Sequence, residues 1–154
     1  MNIEDKLAER GLSLPDVSVP GGNYDSINIR GHVGYIAIQF PIQSGEYLFT
    51  GRLGNEVTTE EGYQAMQLCA LNVLAQINKK IGIEKLLGIN HIDAYYQSAE
   101  DWDDAPHVVN GASDLFVNVL GEKGRHSRSI VGIHKLPRNF SVGLTVNCTL
   151  KTSE

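Results

Sequence analysis

Residues 141–150 read SVGLTVNCTL, in which apolar and small polar side chains alternate strictly. This period of two predicts a β-strand with one face on a hydrophobic core. The apolar positions are Val142, Leu144, Val146, Cys148 and Leu150. The other face carries no charge, whereas a solvated strand face more often carries Lys and Glu. We therefore interpret the second face as partly covered, with another subunit as the expected cover.

Two long helices precede this strand. Thr58 and Glu61 form a capping-box pattern that predicts a helix from Thr58 to Ile81, ended by Gly82. The run 103–106, Asp-Asp-Ala-Pro, predicts the start of a second helix, which Gly121 or Gly124 ends. Its predicted buried face consists of Val108, Val109, Ala112, Leu115, Phe116 and Val119.

Shorter periodic patterns complete the fold. They predict a lead helix over 2–10 and strands over 24–29, 34–42, 86–97 and 129–134. In the second strand we expect Ile36, Ile38, Phe40 and Ile42 on one face. The order is β-β-α-β-α-β-β, which predicts an α+β sandwich with both helices on one face of a mixed sheet. No repeat or long linker interrupts residues 1–154, so we predict a single domain.

The composition and net charge limit the kinds of partner that we expect this chain to bind. The chain has 154 residues and a net charge of -5, which disfavours nonspecific binding to nucleic acid or anionic membranes. No apolar run approaches the roughly 20 residues of a membrane span, and the start lacks a hydrophobic signal core. We expect a cytoplasmic protein in which Cys69 and Cys148 are buried free thiols rather than a disulfide.

The densest polar segment, 121–129, joins the second helix to the following strand. Arg128 lies at the start of that strand, where it can hold a carboxylate or a phosphate through two parallel hydrogen bonds. Pairing with a local Asp or Glu, or simple solvation, stays open as the alternative. In the second helix, Gly111 indicates close packing, and the Asn110 amide is a candidate for exposure to a cleft.

The sequence gives little support for a metal site, a cofactor or a hydrolase nucleophile. None of the five histidines has metal-ligand spacing, so we predict no metal, and no sequence motif indicates a cofactor. His126 is expected to be an exposed loop residue. Ser127 and Ser129 lack the glycine setting of a hydrolase nucleophile.

The stretch 125–137, RHSRSIVGIHKLP, resembles the signature of the Rid family of reactive intermediate deaminases. This family is also called YjgF or endoribonuclease L-PSP. The run 110–115, NGASDL, is similar to one branch of it, and the resemblance covers nearly the whole chain. It implies a chorismate mutase-like fold and a homotrimer whose three sheets enclose a central barrel, with clefts between subunits.

The resemblance also implies roles for single residues. Arg128 matches the Arg that grips the carboxylate of an imine or enamine such as 2-aminoacrylate, which water then converts to a 2-keto acid and ammonia. Tyr24 and Asn110 match cleft residues of the family, and Arg125 and Ile130 are further substrate-binding candidates.

Some positions depart from the family pattern. Gly143 stands where the family has an acidic residue on the last strand, and Ile130 stands where it has a Cys. In the second strand, Ala37-Ile38 replaces Ser-Gly, although Gln39-Phe40-Pro41 is kept.

Three functions remain open. The first is a Rid-type enzyme that hydrolyses enamines or imines in a cleft for small carboxylates. The second is a noncatalytic or regulatory module that binds small carboxylates, which the missing acid at Gly143 favours. The third is an endoribonuclease, against which the net charge of -5 argues.

Overall fold

The computed structural model describes residues 2–152, in which two long helices cover one face of a mixed five-stranded sheet. The elements are α1 (Ile3–Ala8), β1 (Ile27–Arg30), β2 (Val33–Gln39), β3 (Ile42–Gln43), β4 (Glu46–Tyr47), α2 (Thr59–Lys80), β5 (Leu86–Tyr96), α3 (Ala105–Leu120), β6 (Ser127–Gly132) and β7 (Val142–Leu150). The predicted α+β class is confirmed. Within residues 2–152, none of the helices combines the length and the apolar character needed to cross a membrane.

The sheet is ordered β1-β2-β7-β5-β6, so the last strand of the chain is its middle strand. β5 and β6 run parallel, and the other neighbours are antiparallel. Leu144, Val146 and Cys148 of β7 are buried under the helices, as the alternation predicts. On the opposite face, which we call the open face, Gly143 is buried and Thr145 and Asn147 are half-buried.

Local signals explain both helix starts. The Thr58 hydroxyl accepts a hydrogen bond from the Glu61 N–H at 3.1 Å, and the Glu61 carboxylate accepts one from the Thr58 N–H at 3.0 Å. That backbone donation also lowers the pKa of Glu61. Asp104 occupies the position before α3, but its side chain makes no capping hydrogen bond; Pro106 in the first turn remains as the start signal.

One strand face was predicted wrongly. A β-bulge between Ile36 and Gln39 places two residues of β2, Ala37 and Ile38, opposite the single residue Thr145 of β7. The bulge therefore reverses the alternation: Gln39 turns toward the helices, and Ile38 and Phe40 turn to the open face beside Gly143. A regular period of two cannot reveal such an insertion.

Several strands also begin or end at residues other than those predicted. β1 begins at Ile27, three residues after the predicted start, and β2 ends at Gln39, after which the β3–β4 hairpin follows. β6 begins and ends two residues earlier than predicted. Its Arg128 and Ile130 face the helices, and Val131 faces outward and is 41% exposed.

Cys69 and Cys148 are both buried free thiols, as expected. Burial raises the pKa of each thiol above its usual value. Both therefore stay protonated and unreactive near neutral pH.

Leu115 tests the packing of α3 on the core. Leu115 is 2% exposed and belongs to the main hydrophobic cluster. We expect Leu115→Ala to lower the free energy of unfolding by about 2–5 kcal/mol, through lost burial and a cavity. Chemical denaturation measures this, with Asn118→Ala on the exposed face of α3 as the control. A change below roughly 0.5 kcal/mol at Leu115 would mean that the wrong face of α3 has been placed inward.

Candidate functional site

Arg128 is the second residue of β6, and its side chain extends from the sheet toward α3. It is half-buried. Its pairing partner on the adjacent strand β5 is Ile92, which is fully buried. The charged side chain therefore begins at the edge of the hydrophobic core and ends beside polar groups of α3.

The guanidinium of Arg128 is held by neutral groups. Its Nη1 donates to Asn110 Oδ1 at 2.9 Å and to Ser113 Oγ at 3.1 Å. Within residues 2–152, no carboxylate lies within ion-pairing distance of it, and no hydrogen bond uses Nε or Nη2. The edge of this half-buried guanidinium that carries Nε and Nη2 is therefore unoccupied. Its two N–H donors suit the two oxygens of a planar carboxylate.

α3 supplies both acceptors because Asn110 and Ser113 are three residues apart and share a helix face. The intervening Gly111 explains how α3 comes to lie there. A Cβ at Gly111 would overlap the carbonyl oxygen of Tyr63 in α2, so only glycine permits this close crossing. The close packing expected at Gly111 is therefore confirmed, whereas the exposure of the Asn110 amide to a cleft stays a prediction.

A chain of hydrogen bonds continues behind Arg128. His126 Nδ1 lies 2.6 Å from the Gly124 carbonyl oxygen, and His126 Nε2 lies 2.9 Å from Ser113 Oγ. A carbonyl only accepts, so Nδ1 carries the proton, and the Nε2 of the neutral ring accepts from the Ser113 hydroxyl. The Ser113 oxygen then accepts from Arg128, and each donor in the chain has a partner.

The structure brings three of the five predicted site residues together. Asn110 and Arg128 are in contact, and Ile130 lies next to them on the same face of β6, packed against the core. Arg125 is not part of this group: its guanidinium lies 3.2 Å from Glu122, and 67% of its side chain is exposed. Its proposed role in substrate binding stays a prediction.

Tyr24 lies elsewhere. It lines a cavity of about 190 Å³ beside the end of β2, and its hydroxyl accepts from the Gly21 N–H at 3.1 Å. Three strand spacings separate β2 from β6, or about 14 Å. Because this cavity borders Ile38 and Phe40 on the open face, one chain does not bring Tyr24 to Arg128.

A family model described as "YjgF/chorismate mutase-like, putative endoribonuclease" matches residues 4–147. The chain belongs to this family. Protein TCP17 of Trypanosoma cruzi is 33% identical over 142 residues, which cover 91% of this chain and 89% of that protein.

Solved structures of other proteins share the fold of this chain. The crystal structure of protein Atu1372 from Agrobacterium tumefaciens is 34% identical, with a TM-score of 0.90 over 97% of this chain and 92% of that one. E. coli TdcF with bound serine is 14% identical, with a TM-score of 0.63 over 88% of this chain and 93% of that one, which shows the fold alone. The Rid/YjgF resemblance and the chorismate mutase-like fold predicted from the sequence are therefore confirmed.

Apolar side chains lie close to Gly143 in this YjgF-family chain. A Cβ at Gly143 would lie 2.8 Å from Ile38 Cδ1 and 2.9 Å from Phe40 Cε1. The space that the family's acidic side chain would enter is thus filled by apolar groups. Gly143 also lies on the open face, two strands away from β6, so it is on the Tyr24 side of the molecule rather than beside Arg128.

Ser113 and His126 were missed from the sequence. His126 was expected to be an exposed loop residue, but it is half-buried, bonded at both ring nitrogens and packed edge-on against Phe116 at 5.9 Å. The helical spacing of Ser113 from Asn110 was an available signal. The contact of Ser113 with His126, across the turn between α3 and β6, was not.

The ring of His126 offers a direct test of this hydrogen-bond chain. In the neutral ring, we expect nitrogen NMR to show a protonated Nδ1 and an unprotonated Nε2. Ser113→Ala removes the donor to Nε2 but leaves the Gly124 carbonyl at Nδ1, so the proton should stay on Nδ1 while the Nε2 signal shifts toward that of an unbonded ring nitrogen. The exposed His134, whose ring makes no hydrogen bond within residues 2–152, supplies the reference shifts. A proton on Nε2 in the unmodified protein would contradict the assignment.

Proposed function

We propose that this protein binds small carboxylates at Arg128, in a cleft completed by a neighbouring subunit, and hydrolyses reactive enamines or imines there. The observation that carries this proposal is the half-buried Arg128 guanidinium, which has no acidic partner within residues 2–152. Asn110 and Ser113 fix Nη1 and leave Nε and Nη2 side by side. Those two donors match the two oxygens of a 2-keto or 2-imino acid.

The relatives support this ligand class. TdcF from E. coli shares the fold, and its crystal structure contains bound serine, an amino acid with a free carboxylate. Family membership adds the Rid chemistry as an expectation. Both observations favour one class of ligand, small carboxylates.

The proposed assembly is a homotrimer in which Arg128 of one subunit faces Tyr24 of the next. Two observations favour a partner on the open face. Its central strand carries no charge there, at Gly143, Thr145 and Asn147. Tyr35 and Val131 on the same face are 50% and 41% exposed. Such apolar exposure is typical of a surface that another chain covers.

In the proposed reaction, Arg128 holds the substrate carboxylate while water attacks the imine carbon. The carbon–nitrogen bond breaks, ammonia leaves, and the carbonyl of a 2-keto acid forms. An enamine first takes a proton at carbon to become the imine. Gly143 carries no acid, so the protons come from water, and the protein contributes positioning and charge stabilisation.

A noncatalytic carboxylate-binding module is the second candidate. The specific observation in its favour is the apolar filling around Gly143, where the family's acidic group would stand. An endoribonuclease fits the geometry less well. His126 has both nitrogens bonded, and Arg125 is paired with Glu122, so Arg128 has no neighbouring free acid–base group among these residues.

The assembly can be tested first. Sedimentation equilibrium at micromolar concentration should give a mass of about three times the 16.9 kDa chain, because the Rid resemblance implies a homotrimer. A monomer under these conditions would rule out the shared cleft.

Arg128 is tested by substitution. Arg128→Lys keeps the charge but removes the two-pronged geometry, and Arg128→Ala removes both. Calorimetry with a 2-keto acid should show weaker binding for both variants, with Ala worse, by roughly ten- to a hundredfold. The exposed Arg10→Ala serves as the control. Undiminished binding by Arg128→Ala would remove the anchor from the proposal.

Catalysis needs a separate measurement with enzymatically generated 2-aminoacrylate. Faster ammonia release by the unmodified protein, absent in Arg128→Ala, supports the enzyme. Binding of keto acids without any acceleration supports the noncatalytic module instead.

A further inference from the structure

The cavity beside Tyr24 has aromatic walls. Phe40 stacks on Phe140 with ring centroids 4.5 Å apart, and Tyr47 packs edge-on against Phe140 at 4.9 Å. Tyr24 and Tyr47 flank this pair and stay 51% and 47% exposed. We call this cavity, lined by Tyr24, Phe40, Tyr47, Arg138 and Phe140, the ring pocket.

A cation lies at the ring pocket. The guanidinium carbon of Arg138 lies 5.9 Å from the centroid of the Tyr47 ring. Within residues 2–152, no carboxylate pairs with Arg138. Its charge is therefore free to interact with the face of a second aromatic ring.

The backbone that carries Arg138 is held in an unusual conformation. Arg138 and Asn139 both have positive φ, at 54° and 61°. Such residues persist when their surroundings fix them, and they concentrate at ligand sites.

The buried Gln97 fixes this turn. Its Nε2 donates to Asn139 Oδ1 and to the Gly51 carbonyl, and its Oε1 accepts from the Leu136 N–H at 2.8 Å. Arg138 is thus presented by a clamped turn rather than by a loose loop.

Size limits what the ring pocket can hold. Its volume is about 190 Å³. An engineered apolar cavity of about 150 Å³ is known to bind benzene. The ring pocket therefore matches one six-membered ring with a short side chain.

We infer that the ring pocket binds the aromatic ring of the substrate, so the preferred ligands are single-ring aromatic 2-keto or 2-imino acids. This inference rests on the proposed function, in which Arg128 of the neighbouring subunit holds the carboxylate. The apolar filling around Gly143 extends the same surface, because Ile38 and Phe40 border both Gly143 and the cavity. Aromatic stacking and the cation of Arg138 distinguish a ring from an alkyl chain of similar size.

The test compares pyruvate, 4-methyl-2-oxopentanoate and phenylpyruvate by calorimetry on the full-length protein. We expect phenylpyruvate to bind at least about tenfold more tightly than pyruvate, with the branched aliphatic acid between them. Tyr47→Ala should lose most of this preference, whereas Tyr47→Phe should retain it. Arg138→Gln should weaken phenylpyruvate about two- to fivefold.

Leu87→Ala is the control, since Leu87 is an exposed apolar residue outside the ring pocket. Equal affinity for all three acids, with binding still dependent on Arg128, would overturn this inference and leave the proposed function standing. Failure of every acid to bind would overturn the proposed function, and the inference with it. A preference for phenylpyruvate that Tyr47→Ala does not reduce would place the ring elsewhere.

Discussion

At Gly111 the backbone of α3 meets the Tyr63 carbonyl of α2, where even one carbon of side chain would overlap it. Glycine inside a helix costs about 1 kcal/mol relative to alanine, so the close crossing needs a compensating gain. That crossing sets the position of α3 over the sheet, and with it the place where Asn110 and Ser113 meet Arg128 of β6. The geometry of the site therefore originates in helix packing.

The electrostatics of the site follow from the same contacts. The protein has a net charge of -5, yet its half-buried Arg128 is held by an amide and a hydroxyl rather than by a carboxylate. Neutral acceptors orient the guanidinium without cancelling its charge. The cation therefore remains available for an anionic ligand, and the proposed binding of carboxylates depends on this property.

Strong local signals predicted most of the fold. The strict alternation in 141–150 predicted the central strand, and the Thr58–Glu61 capping box predicted the start of α2. The six apolar positions of α3 are all buried as expected. Each of these features depends on residues close in sequence, where periodicity and hydrogen-bonding patterns are visible.

The features that were not predicted depend on contacts that the periodicity of the sequence does not reveal. The bulge in β2 adds one residue and moves Ile38 and Phe40 to the other face. The contact between Ser113 and His126 forms across the turn after α3, and the ring pocket joins segments about a hundred residues apart. Resemblance to the Rid family selected Arg128, Asn110 and Tyr24, but the placement of Tyr24 on the far side of the sheet required the fold.

A crystal structure of the protein with a bound 2-keto acid tests the central claim, a carboxylate site shared between subunits, most directly. The account predicts both carboxylate oxygens within hydrogen-bonding distance of Arg128 Nε and Nη2, at about 2.7–2.9 Å. It also predicts that Tyr24 of the neighbouring subunit contacts the same ligand. A keto acid bound away from Arg128, or a cleft formed by a single chain, would contradict it.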